Sequence, residues 1–491
     1  MIGSRAATWL LCAGVTVISG CTVGPNYQRP AATVPPAFAE PASVTNPADA
    51  DLTSWWRSFR DSELDKLVNR AIAQNLDVET ATARIREARA REVVAGAAAL
   101  PELHAQASAS RQRISENAIP IPPGAGGAGG GGNIASFGLP GTEFNTFRGS
   151  FDASWEIDLF GKTRRSVEAA RARTGAAIWN RRDVQVSVAA EVAEAYLALR
   201  TLQQRIVIAG AEVARQQRLL QLVSARIRGG LVTGQELAQR QSQRKAADAA
   251  IPALKAQAEA QIHALGVLTG MAPEALVAEL SPSAALVSAP EVPAGLPSDL
   301  LRRRPDIRSA EQNLHAATAD IGVATADLYP RFSLSAVPAL VSTTLAKLLE
   351  WGSRSYTASA SLDWPIFNGG RTRANIAVAN AQQEQALIAY RKTILSSLQD
   401  VEDALSNIDN DRRQIAGLDA ARGTAARAED IARTRYQGGL VTYTDVLEAQ
   451  ASRISLDNQR IQARGSLARD TVALFKALGG GWPELAQGGQ P

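Results

Sequence analysis

The chain has 491 residues, 45% of them apolar and 20% charged, which is enough to bury a core and too apolar for disorder throughout. Lys and Arg number 52 against 48 Asp and Glu, a net charge of +4. The two signs are interspersed, so no basic patch of the kind that binds nucleic acid is present. Two Cys and three His (His104, His263 and His315) lie too far apart for a disulfide framework or a zinc site, and neither metal nor cofactor is expected.

Arg5 precedes an apolar run from Ala6 to Ile18 that closes on Ser19, Gly20 and Cys21, the charged, apolar and small-residue regions of a secretory signal. The run is about 13 residues long, short of the roughly 20 that a permanent membrane helix needs. Small residues before a cysteine look like a lipobox, so residues 1–20 are expected to be removed and Cys21 to be diacylated on its thiol. An ordinary signal with an incidental Cys is the competing reading. Thr22, where an inner-membrane lipoprotein commonly carries Asp, favours an outer-membrane address. Loss of Arg5 leaves 51 basic against 48 acidic residues, or +3, on the mature chain.

Residues 21–60 read as a lipid-anchored extension and 61–272 as a first repeat. That repeat holds strands near 101–115 and 144–159 and a helical hairpin over 162–268. In the second of these strands Phe147, Gly149, Phe151, Ala153, Trp155, Ile157 and Leu159 alternate with polar residues, a period of two. The Gly-rich stretch Pro122–Asn133 reads as a loop between them. From Val188 the apolar positions Val192, Ala195, Leu199, Leu202, Ile206, Ala209 and Val213 follow at steps of four and three, the 3.5-residue repeat of a coiled-coil seam. A helix of about 67 residues would be roughly 100 Å long. It ends at Gly229-Gly230, where a left-handed cap reverses the chain.

A linker over 273–298 leads to a second repeat, 299–478, with strands near 330–342 and 354–367, a hairpin over 371–476, and then a tail, 479–491. The duplication is explicit. Arg226-Ile-Arg-Gly-Gly-Leu-Val-Thr233 recurs as Arg435-Tyr-Gln-Gly-Gly-Leu-Val-Thr442, six identities in eight positions at an offset of 435 − 226 = 209. Upstream, Leu76-Asp-Val ending at Leu100-Pro101 matches Pro305-Asp-Ile ending at Tyr329-Pro330 at an offset of 229, which places an insertion in the first copy. Four strands of about 10 residues are long enough to cross a bilayer at a tilt. Four cannot close, and an open edge in lipid leaves unpaired backbone groups. Three chains sharing one 12-stranded barrel resolve this, whereas a soluble protein with two hairpins on a globular core needs no barrel.

Cys21-Thr-Val-Gly-Pro-Asn-Tyr27, Trp55-Trp56 with Phe59 and Asp61, Leu300-Leu-Arg-Arg-Arg-Pro-Asp-Ile307 and Ala477-Leu-Gly-Gly-Gly-Trp482 resemble the signatures of bacterial outer-membrane factors. The match is to the lipoprotein branch of the TolC-like channels that serve resistance-nodulation-division pumps. The resemblance implies a mainly α fold with membrane β: a trimeric α/β-barrel, four strands per chain in a shared 12-stranded outer-membrane barrel, and a long coiled-coil helical barrel in the periplasm. It implies a homotrimer that contacts outer-membrane lipid, a periplasmic adaptor (membrane-fusion) protein and an inner-membrane transporter. The function implied is a passive exit duct for drugs or other small molecules.

At the second turn Asp445 and Glu448 share one face of a helix start and match the family's acidic constriction, the expected periplasmic gate. Simple compensation of the helix dipole is the competing explanation. Arg435 and Tyr436 match the family's gate latch. Gly229, Gly230, Leu231, Val232, Gly438, Gly439, Leu440 and Val441 form the expected adaptor-contact tip, because apolar residues on wet turns suggest a partner; local packing of the turn is the alternative. Gly124–Gly129 satisfies a dinucleotide pattern without the following helix, and Gly161-Lys162-Thr163 mimics a phosphate loop with Glu156 where a Gly is required. No catalytic cluster recurs, so the chain is not expected to be an enzyme. A periplasmic adaptor or structural lipoprotein with coiled-coil hairpins is the rival, but an adaptor needs one hairpin and a lipoyl domain.

Overall fold

The structure is a computed structural model that describes residues 22–31, 34–39, 52–115, 143–231, 233–292 and 297–482. Cys21, Val232 and the Gly-rich stretch Pro122–Asn133 lie outside the described residues. The chain divides into two units, one of Met1–Gln28, Ala88–Arg173 and His315–Gln385, the other of Arg29–Glu87, Thr174–Leu314 and Ala386–Pro491.

The elements run in order as α1 (Ser62–Gln74), α2 (Leu76–Ala97), β1 (Glu102–Arg113), β2 (Glu143–Ile157), α3 (Lys162–Arg228), α4 (Gly234–Leu268), α5 (Val277–Leu280), α6 (Pro297–Arg303), α7 (Pro305–Ala326), β3 (Arg331–Ser342), β4 (Arg354–Asp363), α8 (Arg371–Gln437) and α9 (Tyr443–Ala477). Both α3 and α8 contain 67 residues, and both α4 and α9 contain 35. Such lengths demand lateral packing, since propensity alone does not hold a helix of this size in place.

The first unit is built on one antiparallel sheet in the order β1-β2-β3-β4. Register sets its two faces, because directly paired residues point the same way. Ala105 pairs with Phe151, Leu103 with Ala153, Trp155 with Leu334, Ala336 with Ala358 and Phe332 with Leu362. Those residues share one apolar face. The other carries His104 opposite Asp152, Gln106 opposite Ser150, and the pairs Ser333–Ser361 and Ser335–Ser359, whose hydroxyls bond across the strands at 2.7 Å. Helices α2, α3, α7 and α8 all join the sheet at the same end, beside Glu102, Ile157, Arg331 and Asp363.

The second unit holds the main core. Trp55 stacks on Phe475 with ring centroids 5.1 Å apart, and Leu64, Leu67, Tyr196, Leu197, Leu199 and Val401 are fully buried with them. Asp61 caps α1 by accepting from the backbone N–H groups of Glu63 and Leu64 at 2.9 and 3.0 Å. The Tyr196 hydroxyl donates to both Asp61 oxygens at 2.9 Å, and burial first of all raises that phenol's pKa far above its ordinary value.

The apolar stripe of α3 is wider here than a two-position seam. Val188, Val192 and Leu199 are buried, but so are Ala189, Ala193, Tyr196 and Leu197. Several elements cover this stretch, with Asp61 at the start of α1 on one side and Gly465 of α9 on another.

Candidate functional site

Both helical hairpins turn by the same device. After α3, Leu231 N–H bonds Arg226 C=O at 3.0 Å and Gly230 takes φ 70°; after α8, Leu440 N–H bonds Arg435 C=O at 2.8 Å and Gly439 takes φ 69°. This is the six-to-one closure of a Schellman turn, and a positive φ at that place favours glycine. Gly229 and Gly438 precede these residues and donate to Arg226 and Thr434. Leu231 and Leu440 then stand 76% and 72% exposed, and Val441 is half-buried.

Thr233 and Thr442 cap the returning helices α4 and α9. Each carries an acidic residue at the third helical position, but the bonding differs: Thr233 Oγ1 only accepts from the Glu236 backbone N–H, at 3.4 Å. Thr442 donates from both its backbone N–H and its hydroxyl to Asp445 Oδ2, each at 2.7 Å. Those bonds, the hydroxyl first and the backbone second, hold the Asp445 carboxyl below the usual range, and Arg435 adds to the effect. Asp445 and Glu448 are both exposed. Between them Val446 and Leu447 are buried, so the helix is seated while its carboxylates face outward. Tyr436 packs against Tyr443 across the turn at 5.1 Å.

Several residues that hold this region in place carry no motif. Arg215 on α3 has a buried side chain, donates to the Leu447 carbonyl at 3.1 Å and is braced by Glu212. On the other flank of α9 the fastening is ionic: Glu429 accepts from Arg433 and Arg453, each at 2.6 Å, Arg422 reaches Asp457 at 2.5 Å, and Arg460 pairs with Asp419. The i,i+4 spacing of Glu429 with Arg433 and of Arg453 with Asp457 is the sequence signal that could have found part of this network.

The N-terminal strap is fixed with similar density. Val23 N–H bonds the Phe160 carbonyl at 3.1 Å. The buried Arg165 guanidinium donates to the Val23 and Gly24 carbonyls at 3.2 and 3.3 Å, to Asn26 Oδ1 at 2.7 Å and to Glu168 at 2.8 Å. Tyr27 stacks on His315, which meets Glu168 at 3.1 Å. Gly24, at φ 88°, approaches so closely that a Cβ there would sit 2.5 Å from the Gly322 Cα. The phosphate-loop mimic is structural, because Lys162 pairs with Asp327 at 2.6 Å. Among the described residues no group of His, Cys, Asp and Glu is placed to hold a metal ion.

The family model for outer membrane efflux proteins matches residues 67–271 and 296–480. The chain belongs to the outer membrane efflux protein family. It is 35% identical to the pyoverdine export outer membrane protein OpmQ of Pseudomonas aeruginosa over 446 residues, 89% of this chain and 90% of that one. Outer membrane protein OprJ of the same species is 31% identical over 469 residues, 95% and 94% of the two chains. Among solved structures, the outer-membrane channel OprN superposes with a TM-score of 0.82 at 31% identity, covering 94% of this chain and all of that one. The protein is therefore an outer-membrane efflux channel of TolC-like fold, the outlet of a tripartite pump extending into the periplasm.

Proposed function

We propose that three copies of this chain close a 12-stranded barrel whose polar faces line the exit duct, and that the hairpin turns meet a periplasmic adaptor fed by a resistance-nodulation-division transporter. The observation that carries this reading is the sheet: four strands, one apolar face, one serine-rich face and two edges with unpaired backbone groups. Such edges are costly in lipid, and closure with neighbours removes them. The chain performs no chemistry of its own, and the inner-membrane partner selects most of the cargo. Cys21 carries the lipid, immediately before the Arg165-bound strap. Asp445 with Glu448 forms the acidic gate, Arg435 and Tyr436 latch it, and exposed Leu231 and Leu440 with Val232, Val441 and the glycines of both turns form the adaptor contact.

Light scattering of the detergent-extracted protein tests the assembly, and a trimer mass is expected; a monomer overturns the shared barrel. Cysteine crosslinking from Leu231 and Leu440 to a co-expressed adaptor tests the tip.

A further inference from the structure

The end of the sheet away from the helices is unusual for a surface that meets water. The connection between β3 and β4 exposes Leu345, Leu349 and Trp351 at 65%, 84% and 77%. It is nonetheless ordered: two short helical turns form it, and Ser353 Oγ donates to the Lys347 carbonyl at 2.6 Å. Arg354, the first residue of β4, lays its guanidinium over the Trp351 ring, 2.9 Å from the centroid, and no carboxylate among the described residues pairs with it. The connection carries Lys347 and Arg354 against one carboxylate, Glu350, and an apolar loop with that cationic excess suits a boundary where acyl chains give way to anionic headgroups.

Directly below lies a groove of about 620 Å³, lined by Ala107, Gly149, Phe151, Leu340, Tyr356 and Arg354 among others. Register puts these six on the apolar face, with Ala107, Gly149, Leu340 and Arg354 abreast in one row across the four strands. Gly149 leaves the room: a Cβ there would meet nothing within 4 Å. Phe151 and Tyr356 flank it, 56% and 87% exposed. The groove thus offers apolar surface along its length and an arginine at its outer end, the complement of an acyl chain that ends in a phosphorylated head.

We propose that this groove, with Arg354 and Lys347 at its mouth, is a binding site for a phosphorylated glycolipid of the outer leaflet, of the lipid A class. The inference rests on the channel reading for orientation only, since the helices enter the periplasm and the opposite strand ends face outward. Arginine holds phosphate through paired charge-assisted hydrogen bonds, and its stacking on Trp351 pre-orients the guanidinium, which lowers the ordering cost of binding.

Native mass spectrometry of the full-length detergent-extracted assembly tests this with three probes: bisphosphorylated lipid A, the same lipid enzymatically dephosphorylated, and phosphatidylglycerol. Retention of lipid A should exceed that of the dephosphorylated form by about tenfold, the range of a charged hydrogen bond. Arg354→Gln should abolish that preference, and Gly149→Phe, at a position where a Cβ has open space, should reduce both forms by occupying the groove. Equal retention of the two lipid A forms by the unaltered protein, an unchanged preference in Arg354→Gln, or phosphatidylglycerol held as firmly as lipid A would each overturn the site. Light scattering on the same samples reports the assembly separately, so a failed barrel reading is recognised independently.

Discussion

The Trp155 indole donates to the carbonyl of Ala99 at 2.9 Å, and Trp364, its counterpart 209 residues later, donates to Leu328 at 3.0 Å. Each bond ties the helix-proximal end of a strand to the turn that follows the preceding helix, so the two repeats fix their strands by one device. An indole with its ring on the apolar face and its N–H satisfied at a turn is suited to a membrane interface, where one end is apolar and the other wet. Trp155 therefore marks the periplasmic border of the apolar band, and the middle of β2 falls near Phe151.

This placement decides where a charge does most damage. Phe151→Arg should cost about 2 to 4 kcal/mol, the penalty for a cation on the lipid face at mid-depth, while Trp155→Arg at the border should cost about 0 to 1 kcal/mol from depth alone. Asp152→Asn, on the polar face, should be neutral. Heat-modifiable migration of the assembled protein reads all three, and equal losses at Phe151 and Asp152 would contradict the assignment of the faces.

A second prediction concerns the contact between α3 and α9. A Cβ at Gly465 would lie 2.7 Å from Thr201 Cγ2, so Gly465→Ala should destabilise by about 1 to 3 kcal/mol through overpacking. Adding Thr201→Ala, which removes both Oγ1 and Cγ2 from that space, should recover part of the loss. Thermal unfolding of the single and double variants measures the coupling, and strict additivity would show that the helices move apart freely.

Much of this architecture is legible in the sequence because it is periodic. The alternation over Phe147–Ile157 reads directly as a strand face, and Arg-x-x-Gly-Gly-Leu-Val-Thr reads directly as a reversal, since a positive φ has few other solutions than Gly. The long-range roles of Arg165 and Arg215 were not legible: beyond their i,i+3 pairs with Glu168 and Glu212 they reach backbone carbonyls of Val23, Gly24 and Leu447, and a carbonyl leaves no mark on residue type. The breadth of the α3 stripe was hidden for a related reason, as the number of elements covering a helix is a tertiary property. The Trp351–Arg354 stack escaped because it sits in a connection without period.

The pairing of Asp411 with Asp470 predicts a pH dependence. Burial, and then the bond and charge of Asp470, push the Asp411 carboxyl up to about 6, against the pull of Arg469; Glu194 and Lys476 lie near the same Asp470 and Arg469 surface. A carboxyl raised in the folded state stabilises the fold fully below the unfolded pKa of 3.8, and that contribution is lost as pH rises through about 6. Stability should therefore fall between about pH 4 and 7 in the parent relative to Asp411→Asn, by less than about 1 kcal/mol because the pair is partly exposed. Tm measured for both proteins across this range checks it, and parallel curves would remove the shared proton.

The last prediction separates a gate from a helix cap. Asp445 does serve the cap, since Thr442 donates to it twice, and that local role alone would explain a carboxylate at the third position of α9. Glu448 makes the distinction possible: it lies one turn farther on the same face, is exposed, and takes no part in the cap that Thr442 and Asp445 form among the described residues. If three chains converge, the pair brings six carboxylates to one constriction, and like charges held together attract counterions. Asp445→Asn with Glu448→Gln should then lower cation selectivity and relieve block by multivalent cations in planar bilayers, while Glu448→Gln alone, which spares the cap, should give part of the same change. Unaltered selectivity in the double variant, with thermal stability lowered, would assign these carboxylates to the cap and move the gate elsewhere.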